Sequence, residues 1–400
     1  MNLFRSANPW HVPLIFAVSF VIHYLDRNAI AYALPQIAQE RGWSDAQVGE
    51  WGQYLLGAFF LTYGVAQMVL SGAAERWGAK RSMVLAIIGF STVSMAVGPL
   101  GGSLLMLVAL RLLLGLTESV HVPMMGVMTA RLFPPALRAT ANSTWSVGLI
   151  LATALGSLVT VPLMAALGWR WAFVIIGAAG LVIALPLVLR FVPDARPSQP
   201  PRIDGSASFR RLPDYWLYVA AGVLNAFCGY GILGWLPTYF VRAKGLDFEA
   251  LGWPLALVFS SGVVGTLAIA WLGDRTRARL ALASAGFVGA AAMLHQAISA
   301  QQLATMVALF AAAVFCQSAF QAQEHASLQK LARDTEVGAA TGIYNGISLV
   351  IGGVVGSVVP GAVVSATGSF DAALRVIVGV ALVNAVIMAT LSFRTRETTR

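Results

Sequence analysis

The fold class this sequence predicts is an all-α membrane protein, with twelve transmembrane helices in two pseudo-symmetric six-helix bundles. Three observations predict it. The 400 residues are 58% hydrophobic and only 11% charged, whereas a soluble domain carries about 25% charged residues. The apolar residues fall into twelve runs close to the ~20 residues needed to span a bilayer. A charged loop also recurs half a chain apart.

The runs lie at 11–35, 46–71, 81–98, 102–130, 138–165 and 169–191, then at 214–241, 248–273, 280–299, 302–328, 337–366 and 370–393. Between the two sets, residues 193–213 hold Pro193, Pro197, Pro200 and Pro201 among Arg196, Arg202, Arg210 and Arg211. A Pro-rich basic stretch poor in large apolar residues builds no core and reads as a flexible linker. The expected domains are therefore an N-terminal bundle at 1–192, a cytoplasmic linker at 193–213 and a C-terminal bundle at 214–400.

The repeat supports that division. Glu75-Arg76-Trp77-Gly78-Ala79-Lys80-Arg81 follows the second run, and Asp274-Arg275-Thr276-Arg277-Ala278-Arg279 follows the eighth, 199 positions later. Two parallel six-helix halves are implied. With both ends in the cytoplasm, 19 of the 26 Lys and Arg fall on that side and 5 on the other, leaving Arg27 and Arg111 inside runs. That bias sets the orientation: multi-pass, in the cell's inner (plasma) membrane, both termini cytoplasmic.

Composition excludes other classes. The net charge of +9 is spread over short loops and forms no basic domain, so no nucleic-acid partner is expected. Cys228 and Cys316 lie in apolar runs and provide neither metal spacing nor a disulfide framework. The first run contains His23, Asp26 and Arg27 and reads as a membrane helix, not a signal peptide. No nucleotide-binding loop or nucleophile motif points to an enzyme, and no cofactor or metal is expected.

Charges inside the runs point to function. Arg111 and Glu118 share the fourth run, seven residues and thus two turns apart on one helical face. Each costs roughly 2.5–3.5 kcal/mol to place in hydrocarbon by insertion scales, which marks an ion or substrate pathway. Their separation of about 10.5 Å along the axis rules out a direct salt bridge. Asp26 and Arg27 on the first run are the available partners. Those two point about 100° apart, so one is expected to face a central cavity and the other a neighbouring helix.

These residues also carry a family resemblance. The loop at 75–81 resembles the signature loop of the major facilitator superfamily, and Arg111-x-x-x-Gly115 resembles its fourth-helix motif. Tyr24-Leu25-Asp26-Arg27-Asn28 and Arg111-x6-Glu118-x4-Pro123 are similar to elements of its anion:cation symporter branch, which includes sialin, hexuronate and galactonate carriers. The resemblance implies proton-coupled uptake of organic anions. Asp26 and Glu118 would then be the coupling carboxylates, and Arg27, Arg111 and Tyr24 would meet the substrate. A proton neutralises the Glu118 carboxylate and a substrate anion neutralises the arginine, a physical route to coupling.

Other residues extend this set. His121, three residues beyond Glu118, shares nearly the same face and titrates near physiological pH, so it is a candidate proton relay; His23 is a weaker one. The 199-residue offset maps Asp26 onto Asn225 and Glu118 onto Gln317, replacing charge by amides. Asn225, Gln317 and Asn345 are therefore candidate substrate contacts in the second half. Glu75, Arg76, Lys80, Asp274 and Arg275 at cytoplasmic helix ends are candidate gating residues. Glu324 and His325 near Lys330 read as a snorkelling or gate ion pair.

The expected function is uptake of a small organic anion with a proton, by rocking of two bundles about a mid-membrane site. The expected partners are that anion, the proton and the lipid bilayer, with the chain acting as a monomer. The alternatives are a proton-driven exporter of drugs or siderophores and, more remotely, a non-transporting membrane sensor.

Overall fold

Ten helices in the computed structural model are long and apolar enough to cross a membrane among the described residues, which are 9–194, 208–276, 278–331 and 337–397. The twelve runs give ten helices because two are very long. Asp45–Leu100 and Ala136–Phe191 each extend for 56 residues, about 84 Å if straight against a hydrocarbon core of about 30 Å. Each is broken inside. Gly78 (φ 129°, ψ 117°) and Gly168 (φ 76°, ψ 160°) hold non-helical backbone, which glycine adopts without the Cβ penalty other residues suffer. The sequence-predicted boundaries before 81–98 and 169–191 fall at these two glycines.

The helices are α1 (His11–Glu40), α2 (Asp45–Leu100), α3 (Leu104–Glu118), α4 (His121–Leu132), α5 (Pro135–Ala179) and α6 (Leu185–Phe191). A π-helical turn at Gly180–Ala184 joins α5 to α6. There follow α7 (Pro213–Arg242), α8 (Gly252–Thr276), α9 (Arg279–Ser299), α10 (Leu303–Leu331), α11 (Val337–Ile347), α12 (Gly353–Thr367) and α13 (Phe370–Glu397). Of the linker, residues 195–207 lie outside the described residues, as does Arg277 of the second loop copy; Ser208–Arg211 forms a 3-10 turn before α7.

The predicted single helix over 102–130 is interrupted between Glu118 and His121. Pro123 explains the break: it has no N–H to donate to the Ser119 carbonyl one turn earlier, and its ring crowds that oxygen. Ser119 and Val120 keep right-handed backbone angles, so the chain continues in nearly the same direction.

Two compact units emerge. One gathers the chain up to Ile30, Leu61–Gly156 and the segment from Leu163 through α6. Inside it, the first part of α1 is surrounded. Gly148 of α5 lies so close to Ala17 that a methyl group there would collide with its backbone oxygen. The hydroxyl of Thr62 on α2 donates to the Leu112 carbonyl on α3 at 2.6 Å. The other unit gathers Ala31–Phe60, Ser157–Pro162 and α7 to α13. There α10 packs on both α8 and α9, and α13 on α9 and α7. Gly352 and Gly356 bring the backbone onto α7, where an added Cβ would lie 2.5 Å from the Val223 and Phe227 carbonyl oxygens respectively.

Candidate functional site

Three contacts line up α1 against α3 and α4 in the first unit. Arg111 Nη2 donates to the Arg27 carbonyl oxygen at 3.2 Å. His23 Nε2 stands 3.2 Å from Glu118 Oε2. Ser19 Oγ lies 2.9 Å from His121 Nε2. Numbering falls along α1 (27, 23, 19) as it rises along the partner (111, 118, 121), so the helices are antiparallel. The three contacts form a strip about two turns long.

All the ionisable groups of this strip are buried. Asp26, Glu118, His23 and His121 are 0% exposed, Arg111 3% and Arg27 6%. Burying an isolated charge costs several kcal/mol or more after relaxation, so each must be balanced nearby. Arg27 and Arg111 both lie within electrostatic reach of Glu118, as does Asp26. Two guanidiniums and two carboxylates thus share one buried cluster, whose charge is balanced when both carboxylates are ionised.

Asp26 and Arg27 make further contacts besides their electrostatic reach to Arg111 and Glu118. Asp26 Oδ1 accepts the hydroxyl of Ser94 on α2, while its Oδ2 is buried without a hydrogen-bond partner. Arg27 lies over two rings, with Cζ 5.5 Å from the Tyr24 centroid and 5.0 Å from that of Tyr63. Arg111 reaches Arg27 through backbone. Helix rise sets which turn faces Glu118. With Arg111 opposite Arg27, Glu118 lies about 10.5 Å further along, opposite the turn that carries His23. Both Asp26 and Arg27 face neighbouring helices of the same unit.

His23, the weaker relay candidate in the sequence, is the histidine that lies against Glu118. Its ring stacks on His121 (centroids 5.3 Å apart, 26° between planes) and meets Phe90 edge-on. Both Glu118 oxygens and both His23 nitrogens lack an aligned hydrogen bond, so the 3.2 Å approach is electrostatic contact without hydrogen-bond geometry. The spacing His23-x-x-Asp26, one helical turn, was the available sequence signal. Ser94 and Tyr63 had none, since nothing in an apolar run marks which small polar or aromatic side chain faces a charge.

In the second unit, Gln317 Nε2 on α10 donates to the Asn225 carbonyl and Oδ1 on α7 at 3.3 and 3.4 Å. The structure brings these two predicted residues together, both largely buried. Asn345 on α11 is exposed. Tyr344 beside it is buried. The side chains of His325 and Lys330 lie outside the described ones.

The predicted gating residues make contacts within their own units. Glu75 pairs with Arg131 at 2.9 Å and Lys80 donates to the Leu189 carbonyl at 3.0 Å. Arg76 is exposed. Asp274 pairs with Arg279 at 2.8 Å, and Arg275 lies 3.9 Å over the Trp271 ring. Among the described residues, no group of three or more His, Cys, Asp or Glu is arranged to hold a metal.

A family model described as Major Facilitator Superfamily matches residues 16–300 and 245–400. The chain belongs to the major facilitator superfamily. Members of this superfamily are membrane transporters, and the chain is a multi-pass transporter, not an enzyme. It is 27% identical over 387 residues to a probable sulfoacetate transporter of Cupriavidus necator, covering 89% of this chain and 87% of that one. It is 26% identical over 399 residues to a hexuronate transporter of Bacillus subtilis, covering 93% and 92%. Among solved structures, the fold matches a bacterial homologue of the human lysosomal transporter Spinster with a TM-score of 0.79, at 19% identity and 98% coverage of both chains.

Proposed function

We propose that the chain takes up a small organic anion bearing a carboxylate, together with a proton, by alternating access. In this reading it has twelve membrane spans, the two 56-residue helices each counting as two around Gly78 and Gly168. It acts as a monomer in the inner (plasma) membrane with both termini cytoplasmic, and the segments at 1–192 and 214–400 rock about a central site while 193–213 links them. Glu75, Arg76, Lys80, Asp274 and Arg275 act at the cytoplasmic ends as conformational latches.

The observation that carries the reading is the buried cluster of Arg27, Arg111, Asp26 and Glu118 in one unit. With both carboxylates ionised the cluster is neutral and has no surplus positive charge for an anion. Protonating Glu118 or Asp26 leaves a guanidinium in excess, and an incoming carboxylate restores balance with the two-oxygen geometry that arginine favours. Proton and anion therefore enter together or not at all, which is symport. Tyr24 holds Arg27 in place, His121 supports the proton site one turn beyond Glu118, and Asn225, Gln317 and Asn345 offer amides to the remainder of the substrate. The relatives named for sulfoacetate and hexuronate, both organic anions, support the substrate class.

The test is external pH in de-energised proteoliposomes containing the purified protein. Adding hexuronates, aldonates or sulfonated carboxylates one at a time should alkalinise the medium for at least one of them. Substrate leaving against an imposed proton gradient would replace this reading with an exporter. Absence of flux for every organic anion would remove the substrate class.

A further inference from the structure

The Glu118 carboxylate faces an imidazole. His23 Nε2 approaches Glu118 Oε2 to 3.2 Å inside a fully buried pocket. From α1 itself, Asp26 and Arg27 lie within one turn of His23. From α3 and α4, Arg111, Glu118 and His121 face this part of α1. From α2 the described neighbour is the Phe90 ring, and from α5 Trp145 approaches through Phe20. The position of His23 is constrained on both sides. His121 stacks on it, and Ser19 holds His121 in turn.

Both histidines lie on the same side of the carboxylates. His23 precedes Asp26 by three residues and His121 follows Glu118 by three, each about 4.5 Å of helix rise. Because α1 and α4 are antiparallel, the two displacements point the same way, towards the N-terminal end of α1. In the orientation proposed above, that is the cytoplasm. The strip Arg27–Arg111, His23–Glu118, Ser19–His121 therefore runs from the anion-binding guanidiniums to the inner side.

We propose that His23 is the proton-transfer residue through which Glu118 discharges its proton to the cytoplasm, and that His121 with Ser19 holds its ring in position. This rests on the coupling role proposed for Glu118. In the transfer, the Glu118 O–H bond breaks and an N–H bond forms at His23 Nε2, giving carboxylate and imidazolium. The imidazolium then loses the Nδ1 proton to water entering from the cytoplasmic side, leaving neutral His23 protonated at Nε2, and exchange of one proton through that water returns it to the Nδ1–H tautomer that can accept from Glu118 again. Two stacked rings 5.3 Å apart resist carrying two charges in a buried site. The pair therefore holds one proton at a time, and His121 stays neutral with its Nε2 engaged by Ser19.

The experiment compares His23→Gln with Glu118→Gln in proteoliposomes, reading proton-driven accumulation and substrate counterflow separately. Glutamine keeps an amide near the Nε2 position but carries no proton. His23→Gln is expected to keep counterflow within about twofold while losing on the order of tenfold or more of proton-driven accumulation, with its dependence on internal pH flattened. His121→Gln should retain that dependence at a reduced rate. If Glu118→Gln loses accumulation and His23→Gln matches the wild type, the relay is overturned while the coupling reading stands. If Glu118→Gln itself accumulates normally, the coupling reading falls first. Should His23→Gln fail to fold, nitrogen chemical shifts of ¹⁵N-histidine-labelled wild-type protein and Glu118→Gln decide. A ring whose protonation follows internal pH only when Glu118 is present supports the relay, and five unchanging histidines overturn it.

Discussion

Ser94 on α2 donates its hydroxyl to Asp26 Oδ1 on α1, in a site where neither residue is exposed. This bond separates what Asp26 does for packing from what its charge does. Asn keeps the oxygen that Ser94 needs and removes the ionisable group. Asp26→Asn should therefore melt above Asp26→Leu, because it keeps the Ser94 contact, and abolish proton-driven accumulation. Asp26→Leu should melt lower, because it leaves the buried Ser94 hydroxyl only the long 3.4 Å contact to the Phe173 carbonyl, at a cost of up to roughly 1–3 kcal/mol. Thermal unfolding in detergent and uptake in proteoliposomes check the two. Wild-type accumulation by Asp26→Asn removes Asp26 from the coupling set.

Arg27 gives a second prediction. Its guanidinium sits over the Tyr24 and Tyr63 rings, an arrangement worth about 2 kcal/mol when desolvated. Tyr63→Phe retains the aromatic face and should bind substrate as the wild type does. Tyr63→Leu removes it and frees Arg27 to swing from the cluster. Substrate affinity should fall by about tenfold, corresponding to about 1.4 kcal/mol, with the coupling ratio unchanged. Ligand-induced thermal stabilisation across a concentration series measures this. Equal affinities for Tyr63→Phe and Tyr63→Leu would show that the ring does not hold the arginine.

How much of this was legible in the sequence follows from what each residue's signal is made of. Arg111 and Glu118 stood out because charge in an apolar run is expensive and rare, and the structure indeed buries both in one cluster with Asp26 and Arg27. Their closest contacts were not legible. Which turn of α1 faces Glu118 depends on the stagger of two helices ninety residues apart, and a one-turn shift exchanges Asp26 for His23. The helix break before His121 was encoded by Pro123, but where it points the Glu118 and His121 side chains is set by the packing of α3 and α4 on α1. Gly78 and Gly168 show the reverse case. Run lengths and loop chemistry placed the breaks correctly, although the backbone there joins into helices of 56 residues.

A third prediction concerns the amides. Gln317 donates to both the carbonyl and the side-chain oxygen of Asn225, so each keeps the other from being a buried unpaired group. Asn225→Ala leaves the Gln317 amide with the backbone oxygen alone. If these amides meet the substrate, Asn225→Ala and Gln317→Ala should raise KM severalfold and leave maximal rate and proton stoichiometry within twofold, since neither side chain carries a charge or a transferable proton. A pure packing role would instead lower the melting temperature in both variants with KM unchanged. Initial-rate uptake beside thermal unfolding distinguishes these outcomes.

The last prediction tests packing against propensity at three glycines. Gly352 and Gly356 face α7, and a methyl group on either would sit 2.5 Å from a backbone oxygen of α7. Gly379 on α13 has nothing within 4 Å of the corresponding position. Alanine is the better helix former by roughly 0.8–1.0 kcal/mol in water, so propensity alone favours all three substitutions. Overpacking against backbone, which cannot rotate away as a side chain does, costs about 1–3 kcal/mol. The two effects oppose each other at 352 and 356, and only propensity acts at 379. Gly356→Ala and Gly352→Ala should therefore melt below the wild type, and Gly379→Ala at or above it. Close approach of helices through small residues is how membrane bundles replace the missing hydrophobic drive. If all three variants melted alike, α12 would not rest on α7 at the distance the structure shows.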